Sequence, residues 1–134
     1  MRPIGLRIRK HWVLPIRLGN VMVYHRGLLQ GNDAMNVLID ICVVPMGVGV
    51  SVSKYVVECQ RIFEAAGLSH EMHSYGTNVE GEWDKVMAAV KACHEKIHEM
   101  DAPRCGSTLR IGTRIDRDQT MRDKLDSVYQ KMEI

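Results

Sequence analysis

Residues 74–83 read Ser74-Tyr75-Gly76-Thr77-Asn78-Val79-Glu80-Gly81-Glu82-Trp83. Gly76-Thr77 is a tight turn that joins an extended segment, residues 68–75, to a short strand, residues 78–81. Gly76 can take φ > 0, and Gly81 lets another part of the chain approach closely. Trp83 then opens a helix, with Asp84 near its positive end. A strand, a tight turn, a strand and a helix in direct succession form the middle of a split β-α-β unit.

Upstream, residues 37–44 are apolar on both parities and stop at Pro45-Met46-Gly47. A strand that is apolar on both faces is covered on both. Ser51 or Ser53 can cap the helix that follows. On it Val52, Tyr55, Val56, Cys59, Ile62, Phe63 and Ala66 recur at helical spacing, and Gly67 supplies the stop. Downstream of Trp83 the helical stripe is Trp83, Val86, Met87, Val90 and Ile97, with Pro103 just beyond it. Residues 108–116 then alternate as a strand. Leu109, Ile111, Thr113 and Ile115 share one face; Thr108, Arg110, Gly112, Arg114 and Asp116 share the other. Asp118 can cap a last helix carrying Met121, Leu125, Val128 and Met132.

The resulting order, β-α-β-β-α-β-α, is an α+β ferredoxin-like fold with an added C-terminal helix. Its helices cover one face of the sheet. The first strand puts Leu38, Cys42 and Val44 on one face and Val37, Ile39, Ile41 and Val43 on the other. The chain has no spare helix for the second apolar face, so the sequence predicts a homo-oligomer, a dimer or a tetramer.

A chain of 134 residues supports one domain with a real core and is too short for two. The formal net charge of +2 hides an uneven distribution. Residues 1–32 carry Arg2, Arg7, Arg9, Lys10, Arg17 and Arg26 with no acid, so the remainder is mildly acidic. That balance argues against a nucleic-acid-binding core. No apolar run reaches the ~20 residues of a membrane span. Residues 1–33 show no sustained period. They read as a basic N-terminal extension: an Arg-rich mitochondrial targeting segment, a disordered tail, or sequence upstream of an original start at Met35. Residues 34–134 form the domain under each. Cys42, Cys59, Cys93 and Cys105 make no C-x-x-C pair and read as reduced thiols, which points to the cytoplasm, with mitochondria as the alternative.

Chemistry has few candidates. Asp40 lies in the most apolar strand, and a buried carboxylate needs a partner. Arg110 or Arg114 can supply it, either in a polar pocket on the sheet or as a structural ion pair. Thr77 and Glu80 can hold amine and ring nitrogens of a small heterocycle, although a plain hairpin also suits such residues. His94 and His98 have metal-compatible i, i+4 spacing but no evident third ligand, and no metal or cofactor is expected. His73 and Ser74 point to opposite faces if both lie on a strand. There is no nucleophile elbow, phosphate loop or dinucleotide fingerprint, so a non-catalytic protein is expected.

Three blocks carry a resemblance that covers residues 36–134. They are Pro45-Met46-Gly47, the 74–83 stretch, and Arg110-Ile111-Gly112-Thr113-Arg114-Ile115-Asp116-Arg117. In their order and spacing they resemble the thiamine-binding protein family, spread from archaea to fungi. The resemblance implies ferredoxin-like subunits, dimers formed through the sheets, commonly pairs of dimers, and binding of thiamine (vitamin B1) or its hydroxymethylpyrimidine part. Thiamine joins a cationic thiazolium to an aminopyrimidine, which calls for carboxylate, hydroxyl and an apolar or aromatic wall. The candidate ligand-binding residues are Asp40, Ser74, Tyr75, Thr77, Asn78, Glu80, Arg110 and Arg114. Ser74, Thr77 and Glu80 match the family block. The alternative is an oligomeric regulatory module that takes another metabolite or an anion on Arg110, Arg114 and Arg117.

Overall fold

The computed structural model describes residues 13–18, 21–26 and 35–132. The chain divides by its contacts into two units, Met1–Asp33 and Ala34–Ile134. In the first, β1 (Val13–Leu18) and β2 (Val21–Arg26) pair antiparallel, with Leu18 opposite Val21. The hydrophobic pattern gives no sign of this hairpin, and Pro15 removes one ladder donor from β1. The targeting and disorder readings of residues 1–33 otherwise lie outside the described residues.

The second unit runs β3 (Asn36–Met46), α1 (Ser53–Ala65), β4 (Ser69–His73), β5 (Gly76–Glu82), α2 (Trp83–Glu99), β6 (Arg104–Thr113), α3 (Met121–Met132). The strands form one antiparallel sheet in the order β4-β5-β3-β6. This is the ferredoxin-like order, with the first strand central and the last on an edge. Val37, Ile39 and Ile41 from β3 and Val79 from β5 are buried against Tyr55, Cys59 and Phe63 of α1 and Val86, Ala89, Cys93 and Ile97 of α2. The buried stripe of α2 thus runs through two small residues, Ala89 and Cys93, while Trp83, Met87 and Val90 flank it. Among the described residues no helix is long and apolar enough to cross a membrane.

Several boundaries differ from the sequence reading, each for a local reason. The hairpin turn is Ser74-Tyr75, with His73 opposite Gly76, so Gly76-Thr77 begins β5. Gly76 does not have a positive φ. A Cβ there would come within 2.5 Å of the Ile41 carbonyl oxygen, so close approach is what demands glycine. β6 spans Arg104–Thr113, earlier than residues 108–116. No serine caps α1: its N-cap is Val52, with no side-chain bond.

Both α1 and α2 end in the same pair of backbone bonds. In α1, Gly67 N–H donates to Glu64 O and Leu68 N–H to Phe63 O; in α2, Asp101 donates to His98 O and Ala102 to Ile97 O. Gly67 meets the left-handed requirement at φ +65°, and Asp101 meets it at φ +70° as the only non-glycine with positive φ among the described residues. α3 is capped by Thr120 rather than Asp118. The Thr120 hydroxyl accepts from Asp123 N–H, and the Asp123 carboxylate accepts from Thr120 N–H, a capping box with Asp as its acid.

Candidate functional site

The register sorts five of the eight candidate residues, Asp40, Thr77, Asn78, Glu80 and Arg110, between the two faces of the sheet; Ser74 and Tyr75 form the turn and Arg114 lies past β6. Asn78 lies opposite Asp40 on one side and Glu71 on the other, and Asp40 lies opposite Arg110. Since directly opposed residues share a face, Glu71, Asn78, Asp40 and Arg110 form one row across the side away from α1 and α2. Glu80, opposite Leu38, is one row along on that same side. Thr77 pairs with Ile41 and so points to the helices, where it is 5% exposed.

Asp40 is bonded to neither expected arginine. Its Oδ1 lies 2.7 Å from His73 Nε2. Tyr75 N–H donates to His73 Nδ1 at 3.3 Å, so the ring proton sits on Nε2 and is donated to the carboxylate. His73 therefore ties the central strand to the hairpin turn. It can do so because β4 ends at His73 on the same face as Asp40, only one row away. Arg114, past the end of β6, pairs instead with Asp116 at 2.5 and 2.7 Å and with Gln119 at 2.8 Å. That guanidinium holds the Asp116 carboxyl down at about 2. Glu80 accepts from Met121 N–H at 2.7 Å, fastening the start of α3 to the sheet. The i, i+4 histidines turn to separate partners, His94 to the Ser107 hydroxyl and His98 to the Ala102 carbonyl.

Two clefts result. The first, of about 450 Å3, opens at a notch in the sheet. The β3–β5 register ends at Ile41 opposite Thr77, while β3 runs on to Met46. The notch is bounded by that overhang, by α1, and by the 74–77 turn. Ile41, Val43, Tyr55 and Phe63 give it apolar walls, and Ser74, Tyr75 and Thr77 line it on the hairpin side. Its polar feature on the helix side is a pair missed in the sequence: Gln60 Nε2 donates to Thr77 Oγ1 at 2.8 Å. Gln60 falls between Val56 and Phe63 on the inward side of α1, and a lone glutamine at the margin of an apolar stripe carries no motif signal. Cys59 also lines this cleft and meets Cys93 beneath it. The Cys59 sulfur, and then burial, push the Cys93 thiol well above its ordinary range, so it stays protonated as a small hydrophobe.

The second cleft, of about 590 Å3, lies between the sheet and the start of α3. Leu38, Ser69 and Glu80 line its sheet side; Arg114, Arg117 and Lys124 line its α3 side. Arg114 is already paired with Asp116, and the remaining cations Arg117 and Lys124 share the cleft with Glu80 and Asp118, so it is a polar cleft of mixed charge. Glu80 and Arg114 thus belong to this cleft, Ser74, Tyr75 and Thr77 to the first. Asp40, Asn78 and Arg110 line neither, although Asp40 reaches the first through His73.

Comparison with known proteins finds the same fold over the same part of the chain. The chain is 62% identical over 95 residues to the UPF0045 protein sll0230 of Synechocystis, covering 71% of this chain and 78% of that one. It is 41% identical over 99 residues to the UPF0045 protein ECM15 of Eremothecium gossypii, covering 73% and 94%. The crystal structure of the hypothetical protein MJ1052 from Methanocaldococcus jannaschii superposes with a TM-score of 0.67 at 32% identity, over 72% of this chain and 98% of that one. A Thermotoga maritima protein, provisionally named for thiamine biosynthesis or salvage, shares the fold with a TM-score of 0.59 at 24% identity, over 69% and 98%. The family model described as "Thiamine-binding protein" matches residues 39–129, which include both sides of the hairpin cleft. The chain belongs to the thiamine-binding protein family.

Proposed function

We propose that this protein binds thiamine or its hydroxymethylpyrimidine part, without catalysis, in the cleft between α1 and the β4–β5 hairpin. The observation that carries the reading is the hydrogen-bonded Thr77–Gln60 pair set in an apolar wall. A volume of about 450 Å3 falls in the range of small-molecule sites, and a few placed polar groups in an apolar pocket are what such sites use. Family membership and the Thermotoga neighbour's provisional name favour thiamine as the ligand. The hairpin cleft, with its apolar and aromatic walls, suits it better than the α3 cleft, which is lined by the charged side chains Arg114, Arg117, Lys124, Glu80 and Asp118. Tyr75, 86% exposed at the rim, offers a ring face to that cation, and Asp40 adds negative charge behind His73. Calorimetric titration with thiamine and with hydroxymethylpyrimidine tests the proposal. Heat of binding with either supports it; no heat and no thermal shift with both sinks it.

The second reading, an anion- or metabolite-binding regulatory module, is favoured by Arg117 and Lys124 in the α3 cleft, beside the Asp116-paired Arg114. A thiamine phosphate that bound far more tightly than thiamine, with the difference lost in Arg117→Ala, would support it. Under both readings the open face of the sheet is covered by a second copy, giving a dimer or tetramer.

A further inference from the structure

We infer that Gln60 is the specificity-determining residue of the hairpin cleft, reading a ring nitrogen and its neighbouring exocyclic amino group. The inference rests on the proposed function for the location of the ligand and adds what the site recognises. A carboxamide presents an N–H donor beside a C=O acceptor. A heteroaromatic ring with an amino group next to a ring nitrogen presents the reverse pattern at the same spacing, so the two close as a bidentate pair. Glutamine reads adenine in DNA through this complementarity.

Three features of the fold suit Gln60 to that task. It projects from α1 into the cleft, half-buried, one residue after the buried Cys59. Thr77 Oγ1, itself buried, takes one of its N–H donors at 2.8 Å and so fixes the plane of the amide. A second N–H and the carbonyl oxygen have no hydrogen-bond partner among the described residues. The surroundings then make the reading selective. Around it Tyr55, Phe63, Ile41 and Val43 offer ring faces and methyl groups, and the one polar group among these four, the tyrosine hydroxyl, turns to the Met100 carbonyl; His73, Ser74 and Thr77 lie on the hairpin side. A ring without the amino group would leave the Gln60 carbonyl facing an unpaired edge in an apolar cleft, which costs more than the same loss in water.

The test compares two probes on the full-length protein: 4-amino-5-hydroxymethyl-2-methylpyrimidine and the same compound without its 4-amino group. Wild type should prefer the amino compound by roughly 5- to 150-fold, the range of one good bidentate contact. Gln60→Leu should abolish the preference. Gln60→Glu, which keeps the shape and the acceptor for the amino group but loses the donor, should retain part of it. The glutamate variant also serves as the folded comparison if the leucine variant melts early. A purely structural Gln60 would weaken both probes equally and leave their ratio intact; that result overturns the inference while the proposed function stands. Wild type that ignores thiamine and both pyrimidines yet binds adenine or cytosine through Gln60 would sink the proposed function and keep the inference. Binding of none of these rings overturns the inference, and the absence of thiamine binding as well overturns both.

Discussion

At the scale of single residues, two backbone positions show what their local geometry demands. Gly76 sits where β5 begins, and its missing Cβ leaves room for the Ile41 carbonyl, whose oxygen would lie only 2.5 Å from a Cβ built there. Gly76→Ala should therefore cost about 1–3 kcal/mol, the usual penalty for forcing an atom into occupied space, and should displace the hairpin turn. Asp101 presents the reverse case. It is exposed and left-handed at φ +70°, where its counterpart after α1 is Gly67. Asp101→Gly should raise stability by up to about 1 kcal/mol, since an L side chain is strained there. Denaturant melts of both variants check the two signs together. These positions also show what residue chemistry leaves legible. Gly76 is conspicuous in the sequence, but its reason is a carbonyl on a strand 35 residues upstream, which no local pattern reports. Gln60 is less visible still, because its partner Thr77 meets it only once the hairpin packs on α1.

At the scale of elements, strong periodicity carried through and boundaries did not. The α1 positions Tyr55, Cys59 and Phe63 are buried as their spacing predicts. Val37, Ile39 and Ile41 of β3, the set the sequence reading left for a second copy to cover, are instead the ones packed under α1 and α2. Period-2 alternation separates the two faces of a strand without saying which one the helices take. The misplaced turn and the shifted β6 share a cause: β-strands end where their partners end, and the partners of β5 and β6 are set by β3. The C-terminal helix is the element most dependent on polar contacts, since none of its residues is buried. Its start is held by the Thr120–Asp123 capping box, by Glu80 on Met121 N–H, and by the Arg114–Asp116 pair before it. Thr120→Ala should fray it at a cost of about 1 kcal/mol, read as lost helical circular dichroism. Acid should act on the same contacts. The Thr120 backbone N–H, and then its hydroxyl, lower Asp123, while Arg114 holds Asp116 at about 2; both are below the unfolded value of 3.8. Their contribution is complete above pH 3.8 and is lost as pH falls toward 2. Melting temperature should fall over that window, less steeply in Asp116→Asn. Glu80→Gln belongs here too. It should loosen α3 without changing affinity for thiamine, because Glu80 faces the other cleft. Lost thiamine binding in that variant would move the ligand to the α3 side.

At the scale of the whole molecule, surface left uncovered by the domain decides what the protein does next. On the open face of β3, Cys42 is half-buried and Val44 is 44% exposed; on α3, Val128 and Tyr129 are 54% and 56% exposed. Apolar groups repeated along a strand and a helix, with few contacts of their own, are the signature of a surface that meets another surface. A second copy is the simplest occupant, because the same strand and helix then cover each other about a two-fold axis. Light scattering should return two or four times the 15.2 kDa chain mass. Val128→Lys and Tyr129→Lys together should shift the population toward monomer, because burying either ammonium at an interface is costly, and neither residue lines a cleft. Ligand affinity discriminates further. The Gln60–Thr77 pair and its apolar walls come from one chain, so the monomeric variant should bind thiamine as wild type does. Binding that vanished with the assembly, in a variant whose monomers stay folded, would mean that a neighbouring copy completes the cleft across the exposed Tyr75 rim.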